Sequence, residues 1–314
     1  MKKRPVVVCT DPGIDDFIAL CMLLDRPELD VLGIVALSGN VGLDVTVNNA
    51  LVVKELCRQP EIPVLAGSAK PLKRPVRSAS NIHGQSGLGK SVCLHSELPV
   101  WDEDGAEFIA RMARAHAGEL ELVSLGPLTD VALAVTRHPE IVPMIRDVLI
   151  MGGGIHRGNA TRYAEFNIVA DPEAAAEVFD SGVHVTMVGL DATHRCVMPR
   201  SSIEAMRYDS VLGRAVPAML GDYADIYRSV HGIEGMIIHD AICVVMLWHP
   251  EWFTCHEWHV HVCLDEGEHL GQTVADETGG GGLAPNCTVV MDCDGERIND
   301  CIVRSMRSLI ERIG

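Results

Sequence analysis

Three carboxylates, Asp11, Asp15 and Asp16, fall within six residues in the stretch CTDPGIDD at 9–16. They come directly after the apolar run Val6, Val7, Val8. A β-branched run of this kind reads as a buried parallel strand, and the turn at its carboxyl end is where open α/β sheets hold ligands. Anions crowded at a strand end repel one another, and a hard cation, Ca²⁺ or Mg²⁺, is the simplest way to reconcile them. A structural reading competes with this one. Asp before Pro is the pattern of an N-cap with proline at the first helical position, and the helix dipole favours acids in a first turn. Either role suits one such residue; three together at this position favour the cation.

Other polar groups sit in mainly apolar surroundings. In GNATRYAEFNIVADPEAA at 158–175, Asn159, Glu165 and Asn167 stand out. In an extended segment Glu165 and Asn167 point the same way and Phe166 the opposite way, which sets an acceptor beside an amide, a pair able to grip neighbouring hydroxyls of a sugar. His239 and Asp240 open a helix-like apolar run, as Asp15 and Asp16 do, so Asp240 is a candidate remote ligand for the same ion. NIHGQSGLG at 81–89 is a polar loop with a histidine and three glycines, functional or merely solvated.

The elements that must position these groups are strand-like runs at 5–9, 31–37, 62–67, 120–126, 148–154 and 183–190, with helical-period patterns between them. Alternation of this kind specifies βαβ units, hence an α/β fold: an open, mostly parallel twisted sheet with helices on both faces and the site at the carboxyl ends of the strands. Several runs end in glycine turns, LAGSAK, SLGPLT, MGGGIH and VGLDAT, whose loops can converge on one crevice or serve only as tight βα connections. GGGG at 279–282 reads as a surface loop.

At 314 residues and 47% hydrophobic content the chain can bury one large core, and no linker divides it, so a single domain over 1–314 is expected. A net charge of −17 argues against nucleic acid or an acidic membrane surface as partner and suits a small-molecule substrate. The eleven cysteines form no CxxC pair and are odd in number, which points to buried free thiols in a reducing cytoplasm. MKKRPVVVCTD lacks the apolar length of a signal peptide, and no apolar run is long enough to cross a bilayer.

TDPGIDD, SGN at 38–40, HGQSGLG at 83–89, LGPLTD at 125–130, MGGG at 151–154, GNAT with AEFN at 158–167, and HD at 239–240 occur in an order that resembles the inosine-uridine preferring nucleoside hydrolase family. DPEAA after AEFN and GLDATH at 189–194 add to the similarity. The resemblance implies a Ca²⁺-dependent hydrolase that splits the N-glycosidic bond of purine or pyrimidine ribonucleosides, working as a cytoplasmic homo-oligomer, dimer or tetramer. It implies Asp11, Asp15, Asp16 and Asp240 as carboxylate ligands, with the Leu125 carbonyl, and Asp11 as general base on a metal-bound water. Asn159, Glu165 and Asn167, with Asp15, would hold the ribose. Asn40, His83, Met151 and Phe166 would line the pocket. His239, a candidate acid for the leaving base, would sit on the base side with Tyr227 and His231.

Two positions depart from the family pattern. Cys9 stands where an Asp is common two residues before the proposed base, either a nucleophile or, the favoured reading, a buried thiol at a strand end. Asp130 stands where Asn is usual, which a capping difference alone would explain. Competing functions are a haloacid-dehalogenase-like phosphatase, whose nucleophilic Asp would fall at Cys9, a largely helical His-Asp phosphohydrolase, and a non-catalytic ribose-binding protein.

Overall fold

The computed structural model describes residues 2–313. The valines after Arg4 form strand β1 (Arg4–Thr10), followed by β2 (Leu29–Ala36), β3 (Val64–Ala66), β4 (Leu120–Ser124), β5 (Ile145–Met151) and β6 (Val185–Val188). Toward the carboxyl end come β7 (Phe253–Trp258), β8 (Val260–Val262), β9 (Thr273–Ala275) and β10 (Cys287–Cys293). Eight of these make one sheet in the order β3-β2-β1-β4-β5-β6-β10-β7. All its neighbours are parallel except β7, which runs antiparallel along β10 at the edge. β8 and β9 pair separately as a short antiparallel ribbon.

The six strands expected from the sequence are present, while β7 to β10 were not anticipated. β7 is the instructive miss. As an edge strand it exposes Thr254, Cys255, His256 and Glu257, so it lacks the apolar run that marks the central strands.

Side chains alternate across β1 and so feed two cores. Val6 and Val8 join the helices Ile14–Leu24, Leu43–Leu56 and His239–Val245 on one face. Val7 and Cys9 join Gly105–Ala115 and Thr129–Arg137 on the other. Cys9 is fully buried there, and its thiol is pushed well above its usual range by burial and then by Asp130, so it is a packing residue and not a nucleophile. All eleven cysteines are free thiols; seven are buried as expected, but Cys93 and Cys255 are exposed, and Cys263 and Cys293 are half-buried.

The chain moves outward from β1 to β2 and β3, then returns to place β4 on the other side of β1. The loops after β1 and β4 therefore leave the sheet in diverging directions and open a crevice between them, the switch point at which such sheets bind ligands. Asp11 follows β1, and Leu125 and Gly126 follow β4.

Candidate active site

The floor of the crevice is the turn between β1 and the helix Ile14–Leu24. Its N-cap is Gly13, not Asp11, so the expected Asp-Pro cap is not what forms. Asp16 performs that task from inside the helix. Its Oδ2 accepts from the Gly13 N–H at 2.9 Å, and its Oδ1 from Thr10 Oγ1 at 2.5 Å. Every residue of this helix is buried, Asp15 and Asp16 included. Acids in a first turn gain about 0.3–1 kcal/mol from the helix dipole. Taking each carboxylate out of water costs several kcal/mol in rough terms. The dipole therefore cannot explain them; the group either takes up protons or is met by a counter-charge.

Asp15, Asp16 and Asp240 each offer a carboxylate oxygen, and these atoms lie within 4.8 Å of one another. Asp240 arrives from the start of the helix His239–Val245, which packs on Ile14–Leu24. Asp11 lies outside this close group but is fully buried next to it, and it takes the Asn40 N–H on Oδ2 at 2.6 Å. Its Oδ1 and the Oδ1 of Asp15 are buried and have no hydrogen-bond partner. Burial first, and then mutual repulsion, raises the carboxyls of Asp11, Asp15 and Asp240, that of Asp15 to about 8; burial also raises that of Asp16. Orphaned, hard oxygen donors in a repelling group fit a divalent cation of the Ca²⁺ or Mg²⁺ type. Gly39 and Gly126 press on the Asp11 carboxylate so closely that a Cβ at either would overlap it.

Above this floor is a cavity of about 450 Å³. The structure gathers around it Asp15, Asn40, His83, Leu125, Met151, Asn159, Glu165, Phe166, Asn167, Tyr227, His239 and Asp240. Asp11 and Asp16 lie beneath. The side chain of His231 falls outside what is described.

One wall is built by the AEFN segment, which is not extended throughout. Glu165 is the N-cap of a short helix, Phe166–Ala170, and accepts the Ile168 N–H at 3.2 Å and the Gly153 N–H at 3.0 Å on Oε2. Because Phe166 and Asn167 already lie in that helix, Phe166 also lines the cavity instead of pointing away. Asn167 Nδ2 donates to the carbonyls of Leu125 at 2.9 Å and Met151 at 3.0 Å, tying the ends of β4 and β5. Asn159 Oδ1 holds the Phe166 N–H at 2.9 Å. Burial raises the Glu165 carboxyl to about 7.

The opposite wall is aromatic. His83 Nδ1 accepts the Ile14 N–H at 3.1 Å, which places any ring proton on Nε2, and burial lowers the imidazole to about 4. His83 is therefore neutral, and its 4.0 Å approach to Asp15 is not an ion pair. Tyr223 lies 5.6 Å from the His83 ring and packs edge-on against Tyr227 at 4.9 Å. Tyr227 OH meets His239 Nε2 at 2.8 Å, and His239 Nδ1 meets Thr193 Oγ1 at 2.8 Å. Both nitrogens of His239 are thus engaged.

Tyr223, Arg77, Ser78 and Val230 also line the cavity without having been named as site residues from the sequence, as do Asn81 and Ile82 of the 81–89 stretch. For Tyr223 a signal existed: it precedes Tyr227 by four residues, which stacks the two on one helical face. Asp130 is no helix cap. Its Oδ2 accepts the Ser68 N–H at 2.9 Å, and burial raises it to about 6.

The model of a family described as inosine-uridine preferring nucleoside hydrolase matches residues 6–300. The chain belongs to this family. It is thereby an N-glycosyl hydrolase of the ribonucleoside hydrolase type. It is 36% identical to the pyrimidine-specific ribonucleoside hydrolase RihA of Salmonella schwarzengrund over 308 residues, which covers 96% of this chain and 98% of that one. Among solved structures, the plant nucleoside hydrolase PpNRh1 superposes with a TM-score of 0.92 at 30% identity, covering 97% of this chain and 99% of the other. The purine-preferring ribonucleoside hydrolase from Gardnerella vaginalis gives 0.93 at 28% identity, covering 98% and 100%. Membership sets aside the haloacid-dehalogenase-like reading, and the mostly parallel eight-stranded sheet sets aside the all-helical one.

Proposed function

We propose that this nucleoside hydrolase cleaves purine or pyrimidine ribonucleosides to ribose and free base, with Ca²⁺ as its resident ion. The observation that carries the reading is the buried carboxylate group of Asp15, Asp16 and Asp240, with orphaned oxygens on Asp11 and Asp15, at the floor of a cavity of nucleoside size. Asp15, Asp16, Asp240 and Asp11, with the Leu125 carbonyl, would hold the ion, which when bound supplies positive charge that acidifies a coordinated water and orients sugar hydroxyls.

The remaining work falls to side chains. Asp11, fixed through Oδ2 by the Asn40 amide, keeps Oδ1 available to take a proton from the attacking water. Glu165, Asn167 and Asn159, on the AEFN wall, grip the ribose hydroxyls with Asp15. As the glycosidic bond breaks, positive charge grows on the sugar ring, and the surrounding carboxylates stabilise it. Direct attack by water predicts inversion at the anomeric carbon. With both nitrogens of His239 engaged, its proton reaches the departing base most directly through the Tyr227 hydroxyl. Met151, Phe166 and His83 complete the surround of sugar and base.

The charge of −17 supports a small-molecule substrate and no nucleic-acid partner, and the free thiols suit the reducing cytoplasm; among the described residues no helix is long and apolar enough to cross a membrane. Residues 1–314 act as one domain and assemble as a homo-oligomer, dimer or tetramer, which sedimentation will resolve. The deciding experiment incubates the protein with inosine, uridine, cytidine and adenosine separately, with and without a chelator, and assays free ribose. Ribose release that the chelator abolishes supports the reading; no release from any nucleoside rejects it. Asp11→Asn separates a hydrolase from a ribose-binding protein: turnover is lost in the first case, while ribose affinity survives in both.

A further inference from the structure

We infer that Asp222 is a positioning residue that latches the loop directly after His83, the last residue of the short helix Ser80–His83, to the helix carrying Tyr223, and so sets the aromatic wall against which the nucleobase rests. The helix Val211–Ile226 presents Tyr223 to the cavity and Asp222, one residue earlier, to the loop at 84–91. Asp222 is buried at 8% exposure, and its carboxylate is spent entirely on that loop. Oδ2 accepts the Lys90 N–H at 2.8 Å and the Ser91 N–H at 2.7 Å, while Oδ1 accepts Ser91 Oγ at 2.9 Å. These bonds join positions more than a hundred residues apart, and residues 84–91 have no helix or strand of their own.

The loop is shaped to meet the latch. Gly89 has φ +81°, and a Cβ there would stand 2.7 Å from Asp222 Oδ2. The Gly89 N–H returns to the His83 carbonyl at 2.8 Å, so the latched end and His83 form one closed unit. Its outcome is the 5.6 Å separation of the His83 and Tyr223 rings. The sugar wall is held independently, by Gly153, Leu125 and Met151 through Glu165 and Asn167. Loosening Asp222 therefore disturbs the base side and leaves the ribose side in place.

This inference rests on the hydrolase reading for its kinetic arm only. With Ca²⁺ present, Asp222→Ala raises KM for uridine and inosine by about tenfold or more, as expected when bonds to a charged acceptor are lost. Inhibition by free ribose, which needs only the sugar wall, stays within about twofold. Asp222→Asn, which keeps an acceptor for both amides, recovers most of the loss, and Gly89→Ala reproduces the Ala phenotype from the other side. An unchanged KM in Asp222→Ala overturns the proposal, as does ribose inhibition weakened in parallel with KM. If the variants do not fold, hydrogen exchange on the wild-type protein decides: the Lys90 and Ser91 amides are slow if latched, and exchange at open-loop rates overturns the latch. A wild type that releases no ribose would reject the function, while amide protection would still read the latch.

Discussion

Asp130 shows how one atom's difference can be felt in stability. Its carboxyl is raised to about 6 by burial, against an ordinary value of 3.8. The folded state therefore holds the proton more tightly than the unfolded chain, and stability falls as pH rises from about 4 through 6. Asp130→Asn keeps an acceptor for the Ser68 amide and has no proton to lose. The variant should be more stable at pH 8, by at most about 3 kcal/mol, and lose the part of the slope between pH 4 and 6 that Asp130 contributes. Thermal melts of both proteins across pH test this; a wild type that loses no stability relative to Asp130→Asn between pH 4 and 6 would refute the sign. The same residue marks a limit of sequence reading, since a half-buried bond to Ser68, sixty-two positions away, leaves no local trace.

At the scale of elements, the loops after β1, β2 and β4 interlock at Asp11. Gly39 and Gly126 have no room for a side chain because the carboxylate occupies it. Gly39→Ala or Gly126→Ala should displace Asp11 and cut turnover by about two orders of magnitude, a usual cost of a 1 Å misplacement. Steady-state rates on inosine provide the check, with circular dichroism to show that the fold persists; near-normal turnover would mean that Asp11 tolerates movement. This is also the scale at which the sequence was most informative. Apolar runs bounded by glycine turns revealed the central strands, and the order of TDPGIDD, AEFN and HD pointed to the family, because buried parallel strands and their turns carry strong local patterns. The AEFN helix and the edge strand β7 were not readable, since a five-residue helix and a solvent-facing strand have little periodicity to display. Asp222 was invisible for a third reason: its partners are set by tertiary packing alone.

The whole molecule carries a charge of −17 and keeps four carboxylates together in its interior. Removing the counter-ion should leave this repulsion unbalanced. A chelator should lower the melting temperature by about 4 °C when the ion had been present at a hundred times its dissociation constant. Calorimetry at matched ionic strength tests it, and a melting curve indifferent to chelator would argue that no ion is resident. Calcium and magnesium added back separately would then identify which ion the oxygens prefer.

Asp240 joins Asp15 and Asp16 from more than two hundred residues further along the chain. During synthesis the first two emerge early and wait for the third, so a ribosome-bound fragment that ends before the helix His239–Val245 lacks the complete trio. On the function proposed above, in which this trio holds the ion, competence is deferred until most of the polypeptide has been made, and a prematurely terminated product would be chemically silent instead of a partly active competitor for substrate.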